Sequence, residues 1–480
     1  EDAPAVQSAK AERPSVLAKL KAPLSLLREE MGFDGVCVSD YGGISNAHEY
    51  QHIGETVEET GLMALEAGMD IEMPGPSGYG EGLKKLFESG AADTALLDQA
   101  VLRVLTAKFR MGLFEHPFAL SNDQLEPLFN RPEDRTLTLQ SARESMVLLK
   151  NDGILPLKKS VRKIALIGPH ADYANKFFGG YTLLCMAEST LAVANSIAGV
   201  SGTVQAASET IRTVPGTKVQ SDEGPEFDEM LRHQKPDCVS LLTQMRNALP
   251  DTEINYAYGY PVAGADESGF AEALNIAAEA DVILLTLGGK HGTCSVSTMG
   301  EGVDATSINL PPCQDRFIRE AARLGKPMIG VHLDGRPISS DAADECLNVI
   351  LECWSPAECG AEAITDILLG KYNPAGRLPV TVAYSAGQIP LYYNHPNGSA
   401  WHQGGSIGFA DYVDCPHQPR YPFGFGLSYT QFLYDHLALS AKEISPDESL
   451  TITAEIQNVG GMDGDEVVQL YISDRFASRT

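Results

Sequence analysis

Four short runs of apolar residues constrain the fold of this 480-residue chain more than any other feature of its sequence. None of them alternates apolar with polar side chains, which indicates strands buried on both faces. Segments with helical periodicity lie between them, so the pattern predicts a mostly parallel sheet covered by helices on both sides. The runs are KIALIG (163–168), DVILLTL (281–287), PMIGVHL (327–333) and NVILEC (348–353), and the helices predicted around them cover 136–150, 312–324 and 358–370.

A second region with alternating strands and helices precedes this one. Short strands are predicted at 35–39 (GVCVS) and 69–72 (MDIE), and this order of elements again implies parallel strands. Residues that do chemistry are then expected where such strands end, because loops at the carboxyl ends of parallel strands build most sites. The helices predicted in this region cover 14–31, 55–67, 80–89 and 94–113.

Two irregular stretches and an alternating C-terminal region complete the organisation. LTITAEIQNV and VVQLYIS, within 437–473, alternate like half-buried strands of a β-sandwich. A sandwich needs roughly 100 residues, so only part of one is expected. The predicted segments are an α/β region at 1–115, a linker at 116–135, an α/β sandwich at 136–393, an irregular linker at 394–430 and a partial β-sandwich at 431–480.

The formal charge of −28 makes nucleic acid and anionic membranes poor partners, and no apolar run is long enough to span a bilayer. Nine scattered cysteines without a C-x-x-C pair argue against a disulfide framework or a zinc site and favour a reducing, cytoplasmic compartment over secretion. The first residues do not form a signal peptide. No metal and no cofactor are expected.

Several motifs together resemble glycoside hydrolase family 3. They are MGFDGVCVSDYGG (31–43), ARESMVLLKNDGILPL (142–157), KIALIGPHAD (163–172), AGRLPVT (375–381) and YPFGFGLSYTQF (421–432). The resemblance implies a (β/α)8-type barrel, an α/β sandwich and, as in many members, a fibronectin type III-like domain. A barrel needs about 250 residues, whereas the linker here begins at residue 116. We therefore expect a partial barrel and a partial third domain in a chain cut short at both ends and inactive alone.

The same resemblance implies the site. Asp40 takes the place of the family's nucleophile, with Tyr41 in the neighbouring aromatic position. Glu301, within Gly-Glu-Gly-Val-Asp (300–304), takes the place of the acid/base. A retaining glycosidase needs such a pair of carboxyls, one to attack the sugar and one to donate a proton to the leaving oxygen. The loop carboxylates Glu223, Glu267 and Asp304 remain alternatives to Glu301.

The remaining polar and aromatic residues are expected to contact the sugar or to have structural roles. The rings of Tyr41 and Trp401 are expected to contact the sugar, and His402 could reach the rim of the sugar pocket. Asp70 is expected to bond to backbone or to another strand end rather than to react. Lys290 and His291 are interpreted as loop residues that bind no ligand.

The expected function is that of a retaining, exo-acting β-glycosidase, with β-glucosidase as the leading activity and β-xylosidase or another β-glycosidase as the alternative. The enzyme would remove terminal non-reducing β-linked sugars by double displacement, and its partner would be an oligosaccharide or β-glucoside. A homo-oligomer is left open. The alternative from another class is a non-catalytic carbohydrate-binding or structural relative of such enzymes.

Overall fold

A computed structural model describes residues 24–128, 131–197, 212–395, 411–474 and 476–477. The chain divides into two compact units, Glu1–Phe129 and Asn130–Thr480, and each is described by itself. In the described part, no helix has both the length and the apolar character needed to cross a bilayer.

The first unit contains two short parallel strands, β1 (Val38–Tyr41) and β2 (Ile71–Met73), in which Val38 pairs with Ile71 and Tyr41 with Met73. The strand predicted at 35–39 is therefore displaced toward the C-terminus, and Asp40 and Tyr41 lie within it. The predicted helices from residue 55 onward are confirmed. The helices are α1 (Gly43–Glu49), α2 (Val57–Ala67), α3 (Glu81–Glu88), α4 (Thr94–Arg110) and the short α5 (Asn122–Leu125), with a π-helical turn at Leu26–Glu30 and a 3-10 turn at Glu126–Leu128.

Asp70 binds the two strands of this unit together. Its buried carboxylate accepts a hydrogen bond from the backbone N–H of Cys37 at 2.9 Å. It also pairs with Arg28 at 2.9 Å and with Arg103 at 2.8 Å. Two guanidinium groups and a backbone donor satisfy the buried charge, so the structural role predicted for Asp70 is confirmed.

The second unit contains a six-stranded sheet with the strand order β3-β10-β9-β6-β4-β5. All neighbouring strands are parallel except β3, which lies antiparallel to β10 at one edge. The strands are β3 (Val147–Asn151), β4 (Lys163–Ile167), β5 (Glu253–Ala257), β6 (Val282–Leu287), β9 (Met328–His332) and β10 (Val349–Glu352). The architecture is an α/β fold with a mixed sheet.

Helices cover both faces of this sheet, as the unbroken apolar strands predict. Every residue of β6, β9 and β10 is buried. One apolar core contains Leu166, Leu284 and Ile329, and the other contains Ile167, Leu285 and Ile350. The helices of the unit are α6 (Pro132–Ser145), α7 (Leu183–Ile197), α8 (Pro225–Gln234), α9 (Leu241–Ala248), α10 (Phe270–Glu279), α11 (Pro312–Ala322), α12 (Asp341–Cys346) and α13 (Gly360–Leu368).

The prediction of one helix over 136–150 is wrong at its C-terminal end. The helix α6 stops at Ser145, and Val147–Asn151 form the edge strand β3. Met146, Val147 and Leu148 are fully buried, and β3 pairs with β10. Burial of this apolar run in the sheet outweighs the helical periodicity that precedes it.

The C-terminal region holds an antiparallel pair, β11 (Phe432–Leu439) and β12 (Ile452–Asn458), whose residues are mostly exposed. The strand predicted over VVQLYIS is wrong, since 464–474 carry no strand in the part of the chain that the structure describes. A strand needs a neighbour to pair its backbone, and none of the described segments provides one for this run.

Candidate active site

The order of the strands in the second unit creates a crevice between β4 and β6. The chain passes from β4 to β5 on one side and then returns to β6 on the other side of β4. Crossovers leave the sheet in opposite directions at this point, and ligands of open parallel sheets bind beyond the carboxyl ends of such strands. The segments that border the crevice are Gly168–His170, after β4, and Gly288–Lys290, after β6.

Polar side chains from three other elements hold the segment after β6. His170 Nε2 lies 2.6 Å from the backbone oxygen of Gly289, whose N–H donates to Asp334 Oδ2 at 2.9 Å. The amide of Gln314 exchanges two hydrogen bonds of 2.8 Å with the backbone of Gly288. Burial lowers the pKa of His170 to about 3, so its ring is neutral at physiological pH. The segment that leads to Glu301 therefore starts from a fixed position.

Glu301 is the last residue of a short strand, β8 (Met299–Glu301), which pairs in parallel with β7 (His291–Thr293). Thr293 is its partner in the register. The carboxylate is exposed and has neither a hydrogen bond nor an ion pair with any residue that the structure describes. The second unit therefore presents this side chain to solvent from the end of a strand.

Gly300 explains how β7 and β8 approach so closely. Its φ of +135° is open to glycine alone, and a Cβ built on it would lie 1.8 Å from the backbone oxygen of Gly292. Gly302, on the other side of Glu301, also has a positive φ of +76°, but a Cβ there would meet nothing within 4 Å. Only the first of the two flanking glycines is thus required by contact with a neighbouring strand.

We expect Gly300→Ala to displace Glu301 and to lower activity by about tenfold or more, because the added methyl group collides with backbone that cannot move aside. Gly302→Ala is the matched control, since it places the same residue at a positive φ in open space and should cost only about 1 kcal/mol of stability. Initial rates and melting temperatures of both variants measure the difference. Equal activity in the two variants would contradict the role given to the contact.

The carboxylates that compete with Glu301 for the acid/base role all have partners. Glu223 accepts a hydrogen bond from Tyr258 at 2.8 Å and lies 3.4 Å from Lys176. Glu267 pairs with Arg316, and Asp304 with Arg336 at 3.5 Å. A carboxylate already engaged by a neighbouring side chain is less available to a ligand than one that has no partner among the described residues. The geometry therefore favours Glu301 among these four.

A cleft of about 990 Å³ adjoins the segment that follows Glu301. Its walls combine apolar side chains with charged and polar groups, including Asp304, Asp334 and Arg336. His332 also lines it, buried at the end of β9, with Nδ1 2.7 Å from Glu352. Burial alone would lower the pKa of His332, but the carboxylate beside it raises that pKa above its usual value.

Sequence reasoning missed Tyr181, whose ring is 70% exposed at the same end of the sheet. Its backbone has a φ of +64°, which non-glycine residues adopt only when the surroundings enforce it. The preceding Gly180 lies against β7, because a Cβ built on it would be 3.6 Å from the backbone oxygen of Gly292. An aromatic side chain after two glycines is a signal that could have been noticed.

Asp40 lies near the carboxyl end of β1, as predicted, and is exposed within the first unit. Its carboxylate accepts a hydrogen bond from the N–H of Tyr41 at 2.7 Å. The ring of Tyr41 is 70% exposed, and Gly42 turns the chain with a φ of +65° into α1. Both side chains are therefore open to solvent within the first unit. Trp401 and His402 lie outside the described residues.

Comparison with known proteins identifies two family domains in the chain. Residues 8–107 match the glycosyl hydrolase family 3 N terminal domain, and residues 146–429 match the glycosyl hydrolase family 3 C-terminal domain. The second match alone covers more than half of the sequence and includes the crevice, Tyr181 and Glu301. Asp40 lies within the first match.

Similar proteins are known by sequence and by structure. A periplasmic beta-glucosidase of Salmonella typhimurium is 33% identical over 460 residues, and a beta-xylosidase of Formosa agariphila is 30% identical over 465 residues. Each match covers 94% of this chain and 56% of the relative, so the chain spans little more than half the length of these proteins. The structure of a beta-glucosidase from Listeria innocua in complex with isofagomine matches with a TM-score of 0.70 at 29% identity, covering 90% of this chain and 53% of that one.

Proposed function

The chain belongs to glycosyl hydrolase family 3, and from that membership we propose that it carries the catalytic carboxyls of a retaining, exo-acting β-glycosidase. Asp40 is the nucleophile and Glu301 is the acid/base. The observation that carries this assignment in the second unit is the position of Glu301: an exposed carboxyl with no partner among the described residues, on a short strand that pairs with the segment following β6. It is the kind of group that can both give a proton to a ligand and take one back.

The proposed reaction has two steps. In the first step, an Asp40 carboxylate oxygen bonds to the anomeric carbon while the bond to the leaving oxygen breaks, and Glu301 gives that oxygen its proton. In the second step, ionised Glu301 takes a proton from water, and the hydroxide released attacks the anomeric carbon and frees Asp40. Two inversions leave the product with the β configuration of the substrate.

The leading substrate class is a terminal β-glucoside, and β-xylosides are the second candidate. Relatives of both kinds match the chain, since the Salmonella protein is named a beta-glucosidase and the Formosa protein a beta-xylosidase. A solved relative from Listeria innocua is described in complex with laminaribiose. Oligosaccharides or aryl glycosides with an unsubstituted terminal sugar are therefore the proposed partners.

Hydrolysis of 4-nitrophenyl β-glucoside and β-xyloside tests the proposal, followed by proton NMR of the sugar first released. We expect the β-glucoside to be the better substrate and the β anomer to appear first. The assay should use the protein as its gene encodes it, because the chain spans little more than half the length of the relatives it matches. Release of the α anomer would exclude double displacement, and sugar binding without turnover by the gene product would favour the non-catalytic alternative.

We also propose that the rings of Tyr41 and Tyr181 contact the substrate, since the C–H faces of sugars pack on aromatic rings. Tyr181→Ala should raise KM about fivefold with a smaller change in kcat, because stacking contributes about 1 kcal/mol and aids binding. Tyr181→Phe keeps the ring and is the matched control, expected to stay within about twofold of the parent. An unchanged KM in the Ala variant would remove Tyr181 from the site.

Finer features of the architecture belong to the same proposal. We infer that the parallel pair β1–β2, with its surrounding helices, forms part of a (β/α)8-type barrel. We likewise infer that β11 and β12 belong to a fibronectin type III-like sandwich. The main support is that five large apolar side chains of α4 are exposed within the first unit, a surface that a complete barrel would cover. These side chains are Leu97, Val101, Leu102, Leu105 and Phe109.

A further inference from the structure

A network of buried charges lies directly before the strand pair that carries Glu301. The side chain of Lys290 is 1% exposed, and its Nζ contacts Glu188 Oε2 and Asp222 Oδ2, each at 2.6 Å. The other oxygen of Asp222 binds Lys176 Nζ, also at 2.6 Å. Asn175 donates to Asp222 at 2.9 Å and to Glu188 at 3.1 Å. Lys290 is thus not the ordinary loop residue that its sequence position predicts.

The network joins four segments that are distant in sequence. Lys290 follows β6, Glu188 lies in α7, Asp222 precedes α8, and Lys176 lies in a 3-10 turn after β4. Although burial favours the neutral amine, Asp222 and Glu188 raise the pKa of Lys290 above its usual value. The two lysines therefore face two buried carboxylates, Asp222 and Glu188, and Lys176 also lies 3.4 Å from the less buried Glu223. Such groups contribute little net stability, but they accept only one arrangement of the segments that supply them.

Lys290 also contacts the strand of Glu301 through its backbone. Its N–H donates to Thr298 Oγ1 at 2.8 Å, and the N–H of Thr298 donates to its carbonyl oxygen at 2.9 Å. The next residue along each segment enters the β7–β8 ladder, in which Thr293 pairs with Glu301. Ser189, next to Glu188 in α7, donates to the backbone oxygen of Thr293 at 3.0 Å. A shift of the Lys290 ammonium would therefore move both paired strands, β7 and β8.

We propose that Lys290 is a positioning residue for Glu301, which holds the acid/base carboxyl in register through its buried contacts with Glu188 and Asp222. The inference rests on the proposed function and adds a residue that touches no substrate. A positioning defect has a kinetic signature that a loss of stability lacks. Misplacing the acid lowers kcat/KM only for substrates whose leaving group needs a proton.

The test compares kcat/KM of Lys290→Met for a series of aryl β-glucosides with leaving phenols of different pKa. In the folded gene product, we expect kcat/KM to fall about 30-fold for phenyl β-glucoside, since small misplacements cost up to about 100-fold. For 2,4-dinitrophenyl β-glucoside we expect less than about a threefold loss, because that leaving group departs without a proton.

Two further variants separate positioning from stability. Arg143→Met breaks the ion pair between α6 and Asp366 in α13, away from Glu301, and should lower the melting temperature without any dependence on the leaving group. The double variant Glu188→Met, Lys290→Met removes one charge of each sign and leaves Asp222 paired with Lys176. It should recover stability, because apolar replacements of buried ion pairs are often neutral, yet keep the leaving-group dependence. If Lys290→Met alone fails to fold, the double variant can be assayed in its place.

The outcomes distinguish this inference from the function on which it rests. If Glu301→Ala slows phenyl and dinitrophenyl substrates equally, Glu301 is not the acid and both proposals fall. If Glu301→Ala discriminates between them but neither Lys290 variant does, the positioning role alone is wrong. The positioning role is also wrong if the double variant regains stability and no longer distinguishes phenyl β-glucoside from 2,4-dinitrophenyl β-glucoside. The inference is supported if both Lys290 variants lose kcat/KM selectively for phenyl β-glucoside and Arg143→Met does not.

Discussion

Replacing Asp40 by alanine should lower kcat/KM for 4-nitrophenyl β-glucoside at least ~10⁴-fold, because removal of a nucleophile abolishes the covalent step and leaves only binding and polarisation. The side chain is exposed within its unit, so the melting temperature should change little. Sodium azide should restore turnover of an activated substrate and yield the α-glucosyl azide, since a small anion then attacks from the side that the carboxylate has vacated.

The matched control is Asp34→Ala. Asp34 lies six residues earlier, and its largely exposed side chain pairs with an exposed Arg110 at 2.7 Å. Exposed ion pairs contribute little to stability, and activity should stay within about twofold of the parent. A 2-fluoro glycoside provides a direct check, because its adduct should map to the peptide that contains Asp40. Parent-like turnover by Asp40→Ala, or an adduct on another carboxylate, would contradict the assignment.

Glu301→Ala is expected to lower kcat/KM about 10²-fold to 10⁴-fold for phenyl β-glucoside, the usual contribution of a general acid. For a 2,4-dinitrophenyl glucoside kcat/KM should change little, whereas kcat falls because water then lacks a base in the second step. Azide needs no base and should restore kcat, and the product should be the β-glucosyl azide. The opposite configurations of the two azides separate the role of Glu301 from that of Asp40.

Asp304→Ala is the control for this prediction, since Asp304 lies three residues away in the same sequence motif and pairs with Arg336. It should show no dependence on the leaving group. Glu223→Gln and Glu267→Gln test the other two alternatives in the same way. If any of these substitutions, rather than Glu301→Ala, selectively lowers kcat/KM for substrates with poor leaving groups, the acid/base has been assigned to the wrong carboxylate.

The central strands could be predicted from sequence because burial on both faces leaves an unbroken apolar run. The bounds of β6, β9 and β10 differ from the predicted ones by a single residue at one or both ends. β5 was not predicted, for the opposite reason: it is an edge strand whose sequence, EINYA, includes an exposed Glu253. The apolar run of β3 directly follows a helix, and periodicity alone does not separate a buried strand from another helical turn.

The residues proposed for the site differ in how far the sequence alone points to them. Asp40 and Glu301 stand in local motifs, and local motifs can be recognised in one sequence. The partners of Lys290 are 102 and 68 residues away, so nothing near it distinguishes a buried cation from a solvated one. The pairing of β7 with β8 was equally hidden, because these three-residue strands contain glycine and depend on contacts such as that of Ser189 with Thr293.

The crevice between β4 and β6 separates residues that the fold of the second unit requires from residues that it does not require. The sheet and its two apolar cores fix where Glu301 stands, whereas the residues just beyond it, such as Gly302 and Asp304, are exposed and add nothing to either core. Substitutions there would change the surface beside Glu301 at little thermodynamic cost. Variation of this surface therefore does not require a new stable fold.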